Sequence, residues 1–101
     1  MPSVTPEMRE ETKEIIYNFY AEECNVEKDS LNENTNVIED IGGDSLMFLE
    51  LLSLFKKKHG INVEIKSIGK YVLKHPSATL GKILDLTLLI IEHGDKIADL
   101  A

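Results

Sequence analysis

At 101 residues with 43% hydrophobic side chains, the chain has room for one small domain with one core. Its net charge of −7 argues against a nucleic-acid partner, because the phosphate backbone would be repelled. A single cysteine excludes an internal disulfide, and no apolar run is long enough to span a bilayer. We therefore expect a cytoplasmic protein without signal peptide or integral membrane segment. Its one domain should cover residues 1–101, with the core over about 5–93 and a terminal turn or tail over 94–101.

The first of four predicted helices has a well-marked start. Thr5 can cap this helix, Pro6 suits its first position, and three glutamates follow near its positive end. The helix should end near Glu22–Asn25, and helical spacing predicts an apolar face of Met8, Thr12, Ile15, Ile16 and Phe19. A long polar connection over residues 26–40 comes next. Its expected apolar anchors are Val26, Leu31, Val37, Ile38 and Ile41.

The second helix should run from about Ser45 to Lys58 and stop at His59-Gly60. Eight of the ten residues 46–55 are apolar. Such a helix is either central to the core or reserves apolar surface for a partner. Residues 61–65 alternate between apolar and polar and are interpreted as an extended loop segment that plugs the core.

The last two helices complete the predicted fold. A short third helix is expected over about residues 67–74, and a fourth should start at residues 76–79 with Ser77 or Thr79 as its cap. Gly94 should end or kink the fourth helix. We predict an all-α, four-helix bundle with a long loop between helices one and two and a short third helix.

A glycine pair followed by a serine at the predicted start of helix two is the chief candidate site. This arrangement exposes one hydroxyl beside unpaired backbone N–H groups, whose partial positive charge suits a bound or attached phosphate. Ser45 is thus a candidate nucleophile, tether point or helix cap, within the sequence Gly42-Gly43-Asp44-Ser45-Leu46. The triplet Asp29-Ser30-Leu31 repeats part of this pattern without a preceding glycine and is interpreted as a solvated turn.

A catalytic interpretation of Ser45 lacks its supporting residues. Residues 43–46 coincide with the short signature of GDSL hydrolases, whose serine attacks an ester with help from a histidine three residues after an aspartate. No aspartate stands three residues before any of the three histidines. These histidines are also too scattered to form a metal site. We therefore expect no catalytic residue and no bound metal ion.

The segment Asn36–Leu46 closely resembles the modification site of acyl and peptidyl carrier proteins. The order of the elements and the segment His75–Leu80 follow that family as well, so that the resemblance covers about residues 5–91. In the family, the motif's serine receives a 4'-phosphopantetheine arm from coenzyme A, and the arm's thiol carries an acyl group as a thioester. The resemblance implies a phosphoprotein that is a carrier and not an enzyme. It implies attachment at Ser45, with Gly42, Gly43, Asp44 and Leu46 as supporting motif residues.

The resemblance also implies partners: a phosphopantetheinyl transferase, enzymes that load and transfer acyl groups, and the acyl chain itself as cargo. Bacterial fatty-acid carriers present an acidic second helix to basic patches on their enzymes. Here Met47 and Phe48 follow the motif, and lysines replace the expected acids at the helix end. Reversed charge should weaken steering toward such enzymes. We predict a specialised, monomeric acyl carrier for fatty-acid, lipid or polyketide-type synthesis, with recognition by Met47, Phe48, Glu50, Lys56, Lys57 and Lys58.

Two alternatives to an acyl carrier stay open. A peptidyl or aminoacyl carrier is mildly favoured by His75-Pro76-Ser77. An unmodified helical interaction domain would use residues 42–46 only as a loop and a cap.

Overall fold

The described part of the chain folds into four α-helices around a hydrophobic core. A computed structural model describes residues 5–61, 63–74, 78–94 and 96–97, and gives the backbone alone for Ser45 and Ile65. A 3₁₀ turn lies in the long loop, and the elements in chain order are α1 (Pro6–Glu23), the 3₁₀ turn (Lys28–Ser30), α2 (Ser45–His59), α3 (Ile65–Lys74) and α4 (Leu80–His93). The predicted all-α bundle with a long first loop and a short α3 is confirmed. That the chain is one domain over 1–101, with its core over 5–93, stays a prediction.

Helix α1 begins and ends at local sequence signals. The Thr5 hydroxyl accepts a hydrogen bond from the Met8 N–H at 3.1 Å, and Pro6 follows at the first helical position. The helix ends at Glu23, within the range predicted for its end, and Asn25 just beyond it takes a left-handed conformation with φ +53°. The buried face is rotated from the predicted one, because the rings of Tyr17 and Tyr20 turn inward: the buried residues of α1 are Thr12, Ile16, Tyr17 and Tyr20.

Two hydrophobic clusters form the core, and α4 contributes to both because it is apolar on most of its surface. The first cluster joins α1, the long loop, α2 and α4, and includes Tyr20, Leu51, Phe55 and Leu80. The second cluster lies between α2, α3 and α4 and includes the connection before α3 and the segment after α4. It consists of Leu52, Val63, Ile68, Leu86, Ile90 and Ile97.

The long loop is fixed to the start of α4 through backbone hydrogen bonds. Three of these bonds are 2.9 Å long and run from the N–H groups of Val37, Leu80 and Gly81 to the carbonyl oxygens of Ala78, Thr35 and Glu33 respectively. Of the predicted loop anchors, Ile38 is wrong, since its side chain is 55% exposed. The Asn36 side chain accepts bonds from the N–H groups of residues 38 and 39, and this turn leaves Ile38 in solvent while Val37 is buried.

The structure adjusts two further element boundaries. Helix α3 begins two residues before its predicted start, because the Glu64 carbonyl already accepts from the N–H groups of Ser67 and Ile68. Thr79 caps α4 with its hydroxyl, which accepts from the Lys82 N–H at 3.3 Å. The alternative cap, Ser77, lies outside the described residues. Within the residues described, none of the helices combines the length and apolarity needed to cross a bilayer.

Candidate functional site

The serine of the glycine-led motif is the first residue of α2. Asp44 precedes it as the helix cap, in an extended conformation, and its carboxylate accepts a hydrogen bond from the Met47 N–H at 3.0 Å. The Asp44 side chain and the next residue in the helix, Leu46, are both exposed. Ser45 therefore occupies an accessible stretch of backbone at the positive end of the helix dipole, where a phosphate ester is favoured.

The two motif glycines are needed for different physical reasons. Gly42 has φ +75°, a conformation that residues with side chains rarely adopt. Gly43 has an ordinary φ, but its N–H donates to the Val37 carbonyl, and a Cβ at this position would lie 2.7 Å from that oxygen. Since Val37 is itself hydrogen-bonded to Ala78 before α4, the close approach at Gly43 sets the position of α2's first residues against the rest of the fold.

Near the motif, the end of α1 places two titratable groups, Tyr20 and the residue that follows the helix, Cys24. Burial, followed by the carboxylates of Glu23 and Asp44, raises the pKa of the Cys24 thiol, which lies 3.8 Å from the Met47 sulfur. This thiol is held in its unreactive protonated form at neutral pH. Burial, followed by Cys24 and Asp44, raises the pKa of Tyr20 to about 12. The Tyr20 hydroxyl has no hydrogen-bond partner among the described residues.

Each of the two described histidines lies at the C-terminal end of a helix. His59 ends α2, roughly 21 Å along the helix axis from Ser45 at 1.5 Å per residue. His93 ends α4 beside Glu92, 4.0 Å away. His75 lies outside the described residues. The described part of the chain thus gives no support to a serine–histidine pair.

The residues predicted to contact partners differ in their exposure. Met47 and Phe48 are half-buried and pack against the core, whereas Glu50 is exposed. Sequence reasoning missed Leu54, which is 49% exposed and shares the outward face of α2 with Leu46, 68% exposed. The spacing from Leu46 could have indicated this exposure, because residues eight apart in a helix lie on the same side of it.

The three lysines at the end of α2 are likewise not equivalent. Lys57 lies on the outward face and is exposed, whereas Lys56 is half-buried. Lys58 forms a 3.0 Å ion pair with Glu11 of α1. Of the three, Lys57 therefore combines exposure with freedom from a carboxylate partner among the described residues.

Comparison with known proteins supplies the class. Residues 14–85 match a family model described as "Phosphopantetheine attachment site", which makes the chain a phosphopantetheine-bearing carrier and not an enzyme. It is 43% identical over 99 residues to the acyl carrier protein homolog of Clostridium acetobutylicum, covering 98% of this chain and 96% of that relative. It is 30% identical over 83 residues to the acyl carrier protein of Zymomonas mobilis, covering 82% and 95% respectively. The chain belongs to the acyl carrier protein family.

The residues present fit the phosphopantetheine cofactor of this family. A phosphodiester needs an exposed helix start, and Asp44 and Leu46 flank such a start at Ser45. The modifying enzyme must approach the backbone closely, and Gly42 has no other atoms within 4 Å of the position where a Cβ would stand. Membership in the carrier class removes the unmodified interaction domain from the alternatives.

Proposed function

We propose that Ser45 is the residue to which the phosphopantetheine arm is attached. The observation that carries this proposal is the position of Ser45 at the first residue of α2, behind the Asp44 cap and the close contact of Gly43 with Val37. Once attached, the arm supplies a terminal thiol that holds the acyl group as a thioester. The protein's own contribution is to place the attachment point at the positive end of a helix, between the exposed residues Asp44 and Leu46.

A matched pair of serine variants tests the attachment site. Ser30 occurs in the same Asp-Ser-Leu triplet as Ser45, but its hydroxyl donates to the Glu27 carbonyl at 2.6 Å inside the loop turn. After incubation with coenzyme A and a broad-specificity phosphopantetheinyl transferase, wild type and Ser30→Ala should each gain the mass of one arm. Ser45→Ala should gain none. An arm on Ser45→Ala would refute the proposal.

We further propose that the protein is a specialised, monomeric acyl carrier of the cytoplasm that serves fatty-acid, lipid or polyketide-type synthesis. The charges of α2 support specialisation. A partner that approaches the outward face meets Glu50 and then Lys57, and a basic surface on that partner would be repelled by the lysine. The segment that would favour a peptidyl carrier, His75-Pro76-Ser77, lies outside the described residues, and no described contact favours that alternative.

Charge reversal at single lysines tests the partner proposal. Lys57→Glu should speed transfer to a synthase enzyme with a basic docking surface by about two- to fivefold at low salt, because it adds attraction at the outward face. Lys82→Glu provides the control, since this lysine is equally exposed but lies on α4. Lys58→Glu should act less than Lys57→Glu, because it also breaks the pair with Glu11. Equal effects of Lys57→Glu and Lys82→Glu would contradict a role for the outward face.

A further inference from the structure

The chain folds back into the core beyond the end of α4. After His93, Gly94 takes φ +58° and ψ −134°, and its N–H donates to the Ile90 carbonyl. A backbone of this kind suits glycine, because a side chain would be strained at that positive φ. Three residues later, Ile97 is 0% exposed and packs into the second cluster. The sequence pattern predicts only a terminal turn or tail here, so a fully buried isoleucine at this point is a finding of the structure.

The second cluster begins close to the proposed attachment site. Phe48 stands three residues after Ser45 and packs against both clusters, and Leu52 joins the second cluster one turn further along α2. For each methylene of an acyl chain that moves out of water, the equilibrium shifts roughly fourfold toward the apolar interior of the protein. The cluster between α2, α3 and α4 is therefore an apolar refuge that starts within one turn of the arm.

This refuge is already filled when the protein is at rest. Val63, Ile68 and Leu86 are each at most 3% exposed, as is Ile97. A close-packed interior can accept a long acyl chain only if a resident side chain leaves. Ile68 and Leu86 are held by hydrogen-bonded helices, whereas Val63 lies in the connection between α2 and α3 and Ile97 lies in a short 3₁₀ turn beyond a glycine. Ile97 is the larger of these two side chains that no α-helix holds, so its departure frees more space.

We propose that Ile97 is a plug that occupies the space a long acyl chain would fill, so that the resting carrier leaves such a chain exposed to partner enzymes. This inference rests on attachment of the arm at Ser45. It makes Ile97 a residue that determines cargo preference, although it lies on the last segment described and far along the chain from the motif.

A matched pair of isoleucine variants separates a plug from an ordinary core residue. Ile97→Ala removes three carbons from the second cluster, and Ile91→Ala removes the same three from the first cluster, where Ile91 is 5% exposed. Wild type and both variants are loaded with the bare arm, butanoyl-arm or octanoyl-arm from the corresponding coenzyme A, and intact mass confirms each loading. The melting temperature of each form is then measured.

Without cargo, both variants should melt at least about 8 °C below wild type, because each leaves a cavity. Relative to the bare arm, octanoyl should raise the melting temperature of Ile97→Ala by about 5 °C or more, by refilling that cavity, and should raise wild type and Ile91→Ala by less than about 2 °C. Butanoyl should have the same small effect in all three. The plug would be overturned if octanoyl raised the melting temperature of wild type as much as that of Ile97→Ala. It would also be overturned if octanoyl raised the melting temperatures of the two variants equally.

A milder pair keeps the test decisive if an alanine variant does not fold. Ile97→Val and Ile91→Val each lose one carbon and should fold. Octanoyl should raise the melting temperature of Ile97→Val more than that of Ile91→Val, by a smaller difference than between the two alanine variants. Failure of the proposed function is distinguishable at the loading step. If no arm appears on wild type by intact mass, attachment at Ser45 is refuted and the plug falls with it. If loading succeeds and the melting temperatures do not separate the variants, the plug alone is refuted.

Discussion

Replacing Gly43 with alanine tests whether the close contact beneath the motif sets the candidate site. The added Cβ would stand 2.7 Å from the Val37 carbonyl oxygen, so the two backbones must separate by about 0.7 Å to reach ordinary contact. Overpacking of this kind costs about 1–3 kcal/mol, and loss of the Gly43–Val37 hydrogen bond adds about 1 kcal/mol. We expect Gly43→Ala to lower the free energy of unfolding by about 2–4 kcal/mol.

Gly69 provides the matched control for this change. It lies inside α3, is exposed, and has no atoms within 4 Å of the position where a Cβ would stand. Gly69→Ala should therefore raise the free energy of unfolding by about 0.5–1 kcal/mol, because alanine loses less backbone entropy in a helix. The same chemical change thus has opposite signs at the two positions.

Thermal melts of the two variants read this difference directly. At about 4–8 °C per kcal/mol for a chain of this size, Gly43→Ala should melt about 8–32 °C below wild type and Gly69→Ala slightly above it. Gly43→Ala should also accept the arm more slowly, because Asp44 and Ser45 move with the loop. A Gly43→Ala protein as stable as wild type would refute the claim that the Val37 contact fixes the site.

Substitutions at three further positions probe single contacts. Tyr20→Phe removes a buried hydroxyl without a described partner. At neutral pH it should leave the free energy of unfolding unchanged or raise it by about 1 kcal/mol. The pKa of Tyr20 in the folded protein, about 12, exceeds its usual value of 10. The free energy of unfolding of wild type should therefore fall as the pH rises from 10 through 12, and that of Tyr20→Phe should fall less. Denaturant titrations in that pH range measure the difference. Asn25→Gly should stabilise by about 0.5–1 kcal/mol in the same assay, because φ is +53° there, and a loss would contradict the left-handed helix end. Asp44→Ala should cost about 1 kcal/mol through the lost cap, while Asp44→Asn keeps the cap. If Asp44→Asn also takes up the arm at the wild-type rate, its carboxylate serves only as a cap and not as a metal ligand in the transferase reaction.

Local signals were sufficient to predict most of the helices. Thr5 and Thr79 cap α1 and α4 as their sequence contexts indicate, and Gly60 ends α2 in a left-handed conformation. These features depend on a few neighbouring residues, because a cap or a glycine stop is satisfied within one turn. The all-α class followed from them.

Features that depend on tertiary contact could not be predicted in the same way. The spacing of apolar residues in α1 placed Phe19 on the core face, where it does pack partly buried, but it did not indicate that Tyr17 and Tyr20 are buried more deeply. A tyrosine has an apolar ring and a polar end, so its pattern alone does not decide which way it faces. Burial of Ile97 likewise depends on a reversal at Gly94 and on the space left between α2 and α3, neither of which is local.

At the candidate site, too, local features could be predicted from the sequence and tertiary contacts could not. The motif and its helix start are visible in the sequence, since a glycine pair, a capping aspartate and a serine are adjacent. The sequence does not show why residue 43 must be glycine. A side chain there would collide with the Val37 carbonyl, and the loop holds Val37 in place through its hydrogen bond to Ala78. The distinct roles of Lys57 and Lys58 also emerge only when Glu11 of α1 is in place.

The central claim is that the arm is carried by Ser45, and peptide mapping of the loaded wild-type protein tests it most directly. Trypsin cleaves after lysine, so one peptide spans Asp29–Lys56 and contains Ser30, Ser45 and Ser53. The account predicts that fragmentation of this peptide places the added mass on Ser45 alone. An arm on Ser30, on Ser53 or on any other peptide would contradict the account.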